Sequence, residues 1–299
     1  MLVMVESKRP VDKLIDVLIH VVIIIACILC LIPLVNTLAL SFSSSIMAAS
    51  GTVSFWPKQF TLAAYEAILG ERQFFGAFWI SVKRVALGGV INFLMMIFCA
   101  FPLAHSEKAF KGRNMYMYVL IFTMLFSGGL VPTYIIVSKL GLLDTIWALV
   151  LPGAVPVWNS ILLMNFFRSL PDEIEEAAVI DGAMPFQILV RIYLPVSLPA
   201  LATVMLFSLV GHWNEFFSGL IYMNHSDNYP LATYISTIVD TAKDLNMITD
   251  PEEMQRIMEV SERNMSSAKI FVSMIPILVI YPFLQRYFVK GIVLGSVKG

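Results

Sequence analysis

Residues 17–40 run through Val, Ile, Leu, Ala and Cys without a single Asp, Glu, Lys or Arg. A helix needs about 20 such residues to cross roughly 30 Å of hydrocarbon. Inside lipid every backbone N–H and C=O must find its partner within the segment, so a run of this kind has to be helical. Five more runs follow, at about 77–104 (apolar after Arg84), 115–137, 145–167, 196–223 and 270–288. The fourth contains Pro152 and Pro156. The third and fourth are divided only by a short polar break around Lys139 and Asp144. The expectation is an all-α, polytopic membrane protein with six transmembrane helices.

Composition agrees, with 58% hydrophobic and 14% charged residues and a mean hydropathy of +0.80. Soluble domains average roughly 45–50% apolar and about 25% charged, so a soluble enzyme is excluded. The net charge of −1 leaves no basic footprint for nucleic acid. Cys27, Cys30 and Cys99 all lie inside apolar runs. There they read as small apolar fillers rather than a disulfide framework, although the first two have CxxC spacing. Lys8, Arg9 and Lys13 precede the first run as they would in a signal peptide. The run is too long for that, and reads as a retained first span.

Basic residues set the expected orientation. They occur in the N-terminal tail, in the 105–114 turn (Lys108, Lys111, Arg113), in the 166–195 segment (Arg168, Arg191) and in the C-terminal tail (Lys290, Lys298). With six spans all four lie on one side, and Lys/Arg excess in short loops marks the cytoplasm. Both termini are therefore expected inside. Residues 41–76 and 224–268 are expected outside, the second as an acidic loop with a helix over 251–261. Lys83 and Arg84 are expected to reach the outer surface or a partner there.

One polar stretch, residues 168–183, falls on the cytoplasmic side. Pro171 suits a first helical position, Asp172 and Glu173 complement the positive helix end, and Gly182 suits a stop. Ile174, Ala177, Ala178 and Asp181 recur at helical spacing and place small side chains on one face. Two readings stand: a helix that docks onto a partner protein, and an amphipathic helix on lipid head groups. Its acidity disfavours the second.

Glu176-Ala177-Ala178, then three residues, Gly182, nine residues and Ile192-x-Leu194-Pro195 resemble the EAA signature of permease subunits of ATP-binding cassette importers. Phe101-Pro102-Leu103-Ala104 with Phe110-Lys111-Gly112-Arg113, and Trp213-Asn214-Glu215-Phe216-Phe217, are similar to the maltose-permease type of carbohydrate importer. The stretch from Tyr281-Pro282 to Lys290-Gly291 resembles a narrower LplC/YtcP-like subgroup that includes alginate-importer permeases. The resemblance covers nearly the whole chain and implies the type I importer permease fold as a single permease domain.

It also implies partners. These are a second homologous permease, a dimer of cytoplasmic ATPases holding ATP and Mg, an extracytoplasmic solute-binding protein and an oligosaccharide; the 224–268 loop, external, acidic and too polar to enter lipid, is expected to touch the solute-binding protein. The membrane is that of a bacterial cell. No GxxxxGK[ST] loop occurs in the chain, so no cofactor is expected in it. Gly88-Gly89 and Gly128-Gly129 read as packing or bending points. By resemblance, Glu176 pairs with a base of the ATPase, Ala177 and Ala178 allow close seating, Gly182 turns the chain, and Asp181 lies on the contact face. His212, Trp213, Asn214, Glu215 and Phe216 are the candidate substrate path, because aromatic faces stack on sugars and polar groups bond hydroxyls. The alternative places Trp213 in an interfacial belt and Glu215 in water at a helix end. A permease for a peptide or polyol, a standalone secondary transporter and a membrane enzyme are the competing functions. The EAA segment disfavours the second, and the absence of catalytic motifs disfavours the third.

Overall fold

The structure, a computed structural model, describes residues 10–245 and 262–295, and every regular element among them is a helix. In chain order these are α1 (Pro10–Ser41), α2 (Ser45–Ala49), α3 (Ala63–Gly70), α4 (Arg72–Ala104), α5 (Arg113–Leu125), α6 (Leu130–Lys139), α7 (Ile146–Val150), α8 (Val157–Arg168), α9 (Asp172–Ile180), α10 (Pro185–Ile188), α11 (Leu194–Val196), α12 (Leu198–Asn214), α13 (Phe217–Tyr222), α14 (Leu231–Leu245) and α15 (Glu262–Gly295). The helix expected over 251–261 lies outside the described residues.

Three helical stretches are long and apolar enough to cross a membrane unbroken: Lys13–Ser41, Arg72–Ala104 and Arg263–Pro282. Three bent pairs, each counted as one span, bring the number up to six: α5 with α6 at 112°, Ile146–Gly153 with α8 at 46°, and Pro185–Val196 with α12 at 84°. The expected continuous third span is thus two helices. The 13 residues of α5 reach only about 20 Å at ~1.5 Å per residue. The break falls at Gly128-Gly129, where Gly129 takes φ +86°, a conformation open mainly to glycine. Pro156 starts α8 after the break in the fourth span. In the fifth span, α12 begins just beyond the bend at Ser197, with Pro195 before it and Pro199 in its first turn. Proline fixes φ and donates no N–H, so both positions favour a helix start.

The described residues divide into two compact units, one within Met1–Gly70 and Ile238–Val272, the other within Glu71–Thr237 and Ser273–Gly299. In the first, α1 is exposed on every side from Leu14 to Leu34. A helix apolar all round belongs in lipid. Its C-terminal end is covered by the following loop. Asn36 donates to the Ser54 carbonyl at 2.7 Å, the Thr61 N–H donates to Phe42 at 3.0 Å, and Ser41 and Tyr65 hydroxyls meet at 2.7 Å.

The second unit is built on α4. Met96, Ile97, Ala100 and Leu103 of this helix are buried with Leu163, Met164 and Phe167 of α8 and with Leu201 and Val204 of α12. Two glycines allow the approach of α12. A Cβ at Gly88 would stand 2.5 Å from His212 Nε2, and one at Gly89 would stand 2.7 Å from a Leu209 methyl. This is the packing role expected of that pair. At the other end of the unit, the polar break between the third and fourth spans forms a turn closed by Asp144. Its N–H donates to Tyr222 at 2.9 Å, and its carboxylate accepts the N–H groups of Asn224 and His225 at 3.1 and 3.3 Å.

Asn92, buried in α4, ties three spans together. Its NH2 donates to the Gly153 and Ala154 carbonyls, which the break before α8 frees, at 2.8 and 2.9 Å. Its oxygen accepts from Ser208 Oγ at 2.6 Å and from His212 Nε2 at 2.7 Å. Because that oxygen only accepts, His212 carries its proton on Nε2. Asn92→Leu keeps the branched shape and removes all four bonds. A single buried polar group left without a partner costs about 1–3 kcal/mol. The variant should unfold at clearly lower temperature in detergent, read by a thermal shift of the purified permease; an unchanged transition would show that the network does not hold the spans.

Candidate functional site

The polar segment between the fourth and fifth spans folds as α9. Pro171 sits one residue earlier than expected, as the extended N-cap with ψ 132°, and Asp172, Glu173 and Glu175 occupy the first turn. The three carboxylates face the positive end of the helix. Its far end closes with two reversed bonds, Gly182 N–H to Val179 at 3.0 Å and Ala183 N–H to Ala178 at 2.9 Å. Gly182 stands at φ +77°, as this Schellman closure requires.

The structure divides the small-residue face expected of α9. Ala178 is only 9% exposed and packs into the chain's own core beside Ile188, Leu189 and Tyr193. Glu176, Ala177, Asp181 and Gly182 are exposed. A larger side chain at 178 would therefore meet this chain before any partner. The exposed crest is instead apolar at Val179, Ile180, Met184 and Phe186, with Ile180 at 85%. Sequence periodicity missed this because the crest continues past the helix into the turn, where the 3.6-residue period ends.

Glu175, which the sequence did not single out, is the acid bonded within the chain. One carboxylate oxygen lies 2.8 Å from His105 Nε2, at the end of α4, and the other accepts the Tyr193 hydroxyl at 2.5 Å. The last carbonyls of α4 are held as well: Leu103 O accepts from Arg168 at 2.8 Å and from Arg113 at 3.0 Å. Cations suit the negative end of a helix.

Within the membrane the candidate substrate residues have different surroundings. Arg84 does not reach the outer surface. It is 3% exposed, donates to the Glu215 carbonyl at 2.8 Å and to Ser218 Oγ at 3.0 Å, and pairs with the Glu215 carboxylate. Glu215 also accepts the Ser218 N–H at 2.8 Å, which caps α13 where the fifth span breaks. His212 is bonded to Asn92. Trp213 donates its indole N–H to Ser273 O at 3.1 Å and meets Phe78 edge-on at 5.8 Å. Asn214 and Phe216 are exposed. A cavity of about 600 Å³ lies beside Trp213, walled by Phe78, Gly89, Phe93, Leu209 and Ile277. Its lining is apolar, which suits hydrocarbon and not a hydroxyl-rich ligand.

Residues 73–294 match the family of binding-protein-dependent transport system inner membrane components. The chain is 36% identical over 288 residues to the polygalacturonan/rhamnogalacturonan transport system permease protein YtcP of Bacillus subtilis, covering 96% of this chain and 99% of that one. It is 40% identical over 269 residues to protein LplC of the same organism, covering 90% of each. Its fold is similar to that of a chain in the crystal structure of a bacterial ABC transporter involved in import of the acidic polysaccharide alginate. There the TM-score is 0.82 at 26% identity, with 94% of this chain and 99% of that chain covered. The protein therefore belongs to the binding-protein-dependent transport system inner membrane components, as a multi-pass permease subunit.

Proposed function

We propose that this permease forms half of the pore of an ATP-driven importer for an oligosaccharide, and that the exposed crest of α9 docks onto a separate ATPase. The observation that carries the docking is the exposed row of Val179, Ile180, Met184 and Phe186 beside Glu176 and Asp181. An apolar ridge flanked by carboxylates fits a groove with basic walls better than it fits anionic head groups. In this reading ATP and Mg bind to a dimer of that ATPase, a second homologous permease completes the pore, and a solute-binding protein delivers substrate from outside. Both termini and α9 then lie on the cytoplasmic side.

The proposed substrate class follows the relatives, named for polygalacturonan/rhamnogalacturonan and alginate transport. Acidic oligosaccharides are accordingly the first to test. Asn214 and Phe216 present an amide and an aromatic face, the pair of groups that sugar hydroxyls and rings use. His212, Trp213 and Glu215 hold the broken helix that displays them.

Ile180→Asp and Glu176→Lys test the docking. Each should weaken ATPase association by at least about tenfold, or ~1.4 kcal/mol, and abolish uptake, while the permease still reaches the membrane. Ala178→Trp is expected to differ, because overpacking the permease's own core costs about 1–3 kcal/mol and should lower its yield. If both crest variants retain the ATPase on purification and import at the wild-type rate, α9 is not the docking element. Orientation has its own test. A reporter fused after Lys298 should be cytoplasmic and one inserted at Asn246 external; finding both on one side would break the six-span arrangement.

A further inference from the structure

The docking crest and the core-facing side of α9 separate two tasks. A partner that pushes on Ile180 moves the pore only if α9 is fastened to the membrane helices. Ala178 supplies a packing contact, but a methyl group resists sliding weakly. The directional fastening is at Glu175, whose side chain is 26% exposed and whose partner His105 is 18% exposed.

Each partner is itself held. His105 caps the C-terminus of α4, with its Nδ1 2.7 Å from the Phe101 carbonyl and its ring edge-on to Phe101 at 4.8 Å. Tyr193 is 8% exposed and meets Phe101 of α4 at 5.0 Å and Phe167 of α8 at 5.3 Å, both edge-on. It belongs to a π-helical stretch, Leu189–Tyr193, that runs directly into α11 and then α12. One carboxylate of α9 thus grips the end of the second span and the start of the fifth.

We propose that Glu175, His105 and Tyr193 form a hydrogen-bonded joint that passes displacement of α9 to α4 and α12. Glu175 is a positioning residue in it and has no part in docking. This rests on the reading of α9 as the ATPase-docking helix. Hydrogen bonding, rather than charge, is the essential property. A glutamine at 175 meets the same partners: its oxygen accepts the Tyr193 hydroxyl, and its NH2 donates to His105 Nε2 while Nδ1–H donates to Phe101. Alanine meets neither.

The test uses the complete importer in proteoliposomes, with Cys27, Cys30 and Cys99 replaced by alanine and Asn214 by cysteine as a reporter on α12. Two quantities are read: ATPase subunit retained on purification, and the change in maleimide labelling rate at position 214 when ATP and vanadate are added. Glu175→Ala should keep the ATPase bound and lose at least four-fifths of the ATP-dependent change. Tyr193→Phe, which leaves the aromatic cage intact, should lose about half, and Glu175→Gln should retain it. A Glu175→Ala complex with the full ATP-dependent change overturns the joint, as does a Glu175→Gln complex as impaired as the alanine variant. Loss of the ATPase in Glu175→Ala would make Glu175 a docking residue and also overturn it. The underlying reading fails separately, if Ile180→Asp leaves the ATPase bound or the parent complex shows no ATP-dependent labelling.

Discussion

Hydrocarbon offers no hydrogen-bond partner to a peptide group, so a span that breaks must satisfy its freed backbone from the protein itself. This constraint accounts for several of the polar side chains buried inside the second unit. Asn92 bonds the Gly153 and Ala154 carbonyls at the break in the fourth span. Arg84 bonds the Glu215 carbonyl where α12 ends, and Thr233 bonds the carbonyl of Phe216 next to it at 2.7 Å. Charged and amide groups at membrane depth are expensive and generally mark function. Here several of them mark places where helices are interrupted, and the interruptions shape the second unit.

The membrane class and the approximate spans were legible because apolar runs of 20 residues have few other uses. The bends were less so. Gly128-Gly129, Pro152 and Pro156 were visible as breakers, but a breaker does not state an angle; 112° and 46° depend on what packs on either side. The pairing of Arg84 with Glu215 was invisible for a different reason. The two lie 131 positions apart, and each alone is consistent with a helix end near water.

On α9 the sequence announced the helix, its acidic start and its glycine stop, because caps are local. It did not announce which alanine faces inward. Ala177 and Ala178 are adjacent and chemically identical, and 100° of helical rotation separates a buried methyl from an exposed one. Nor did it distinguish Glu175 from Glu176. The distinction lies in His105 and Tyr193, which reach the helix from segments 70 and 18 positions away.

Asn92 carries a consequence for how such permeases diverge. Its amide donates twice and accepts twice, and no other side chain of that size does both; aspartate lacks the donors and leucine lacks everything. A lineage that loses it must at the same time make positions 208 and 212 apolar and straighten or recap the residues around Gly153. Those sites are bound to drift as a group, and substitutions there should appear together or not at all. In a sequence alignment, the broken fourth span would then be recognisable from residues that are not part of it.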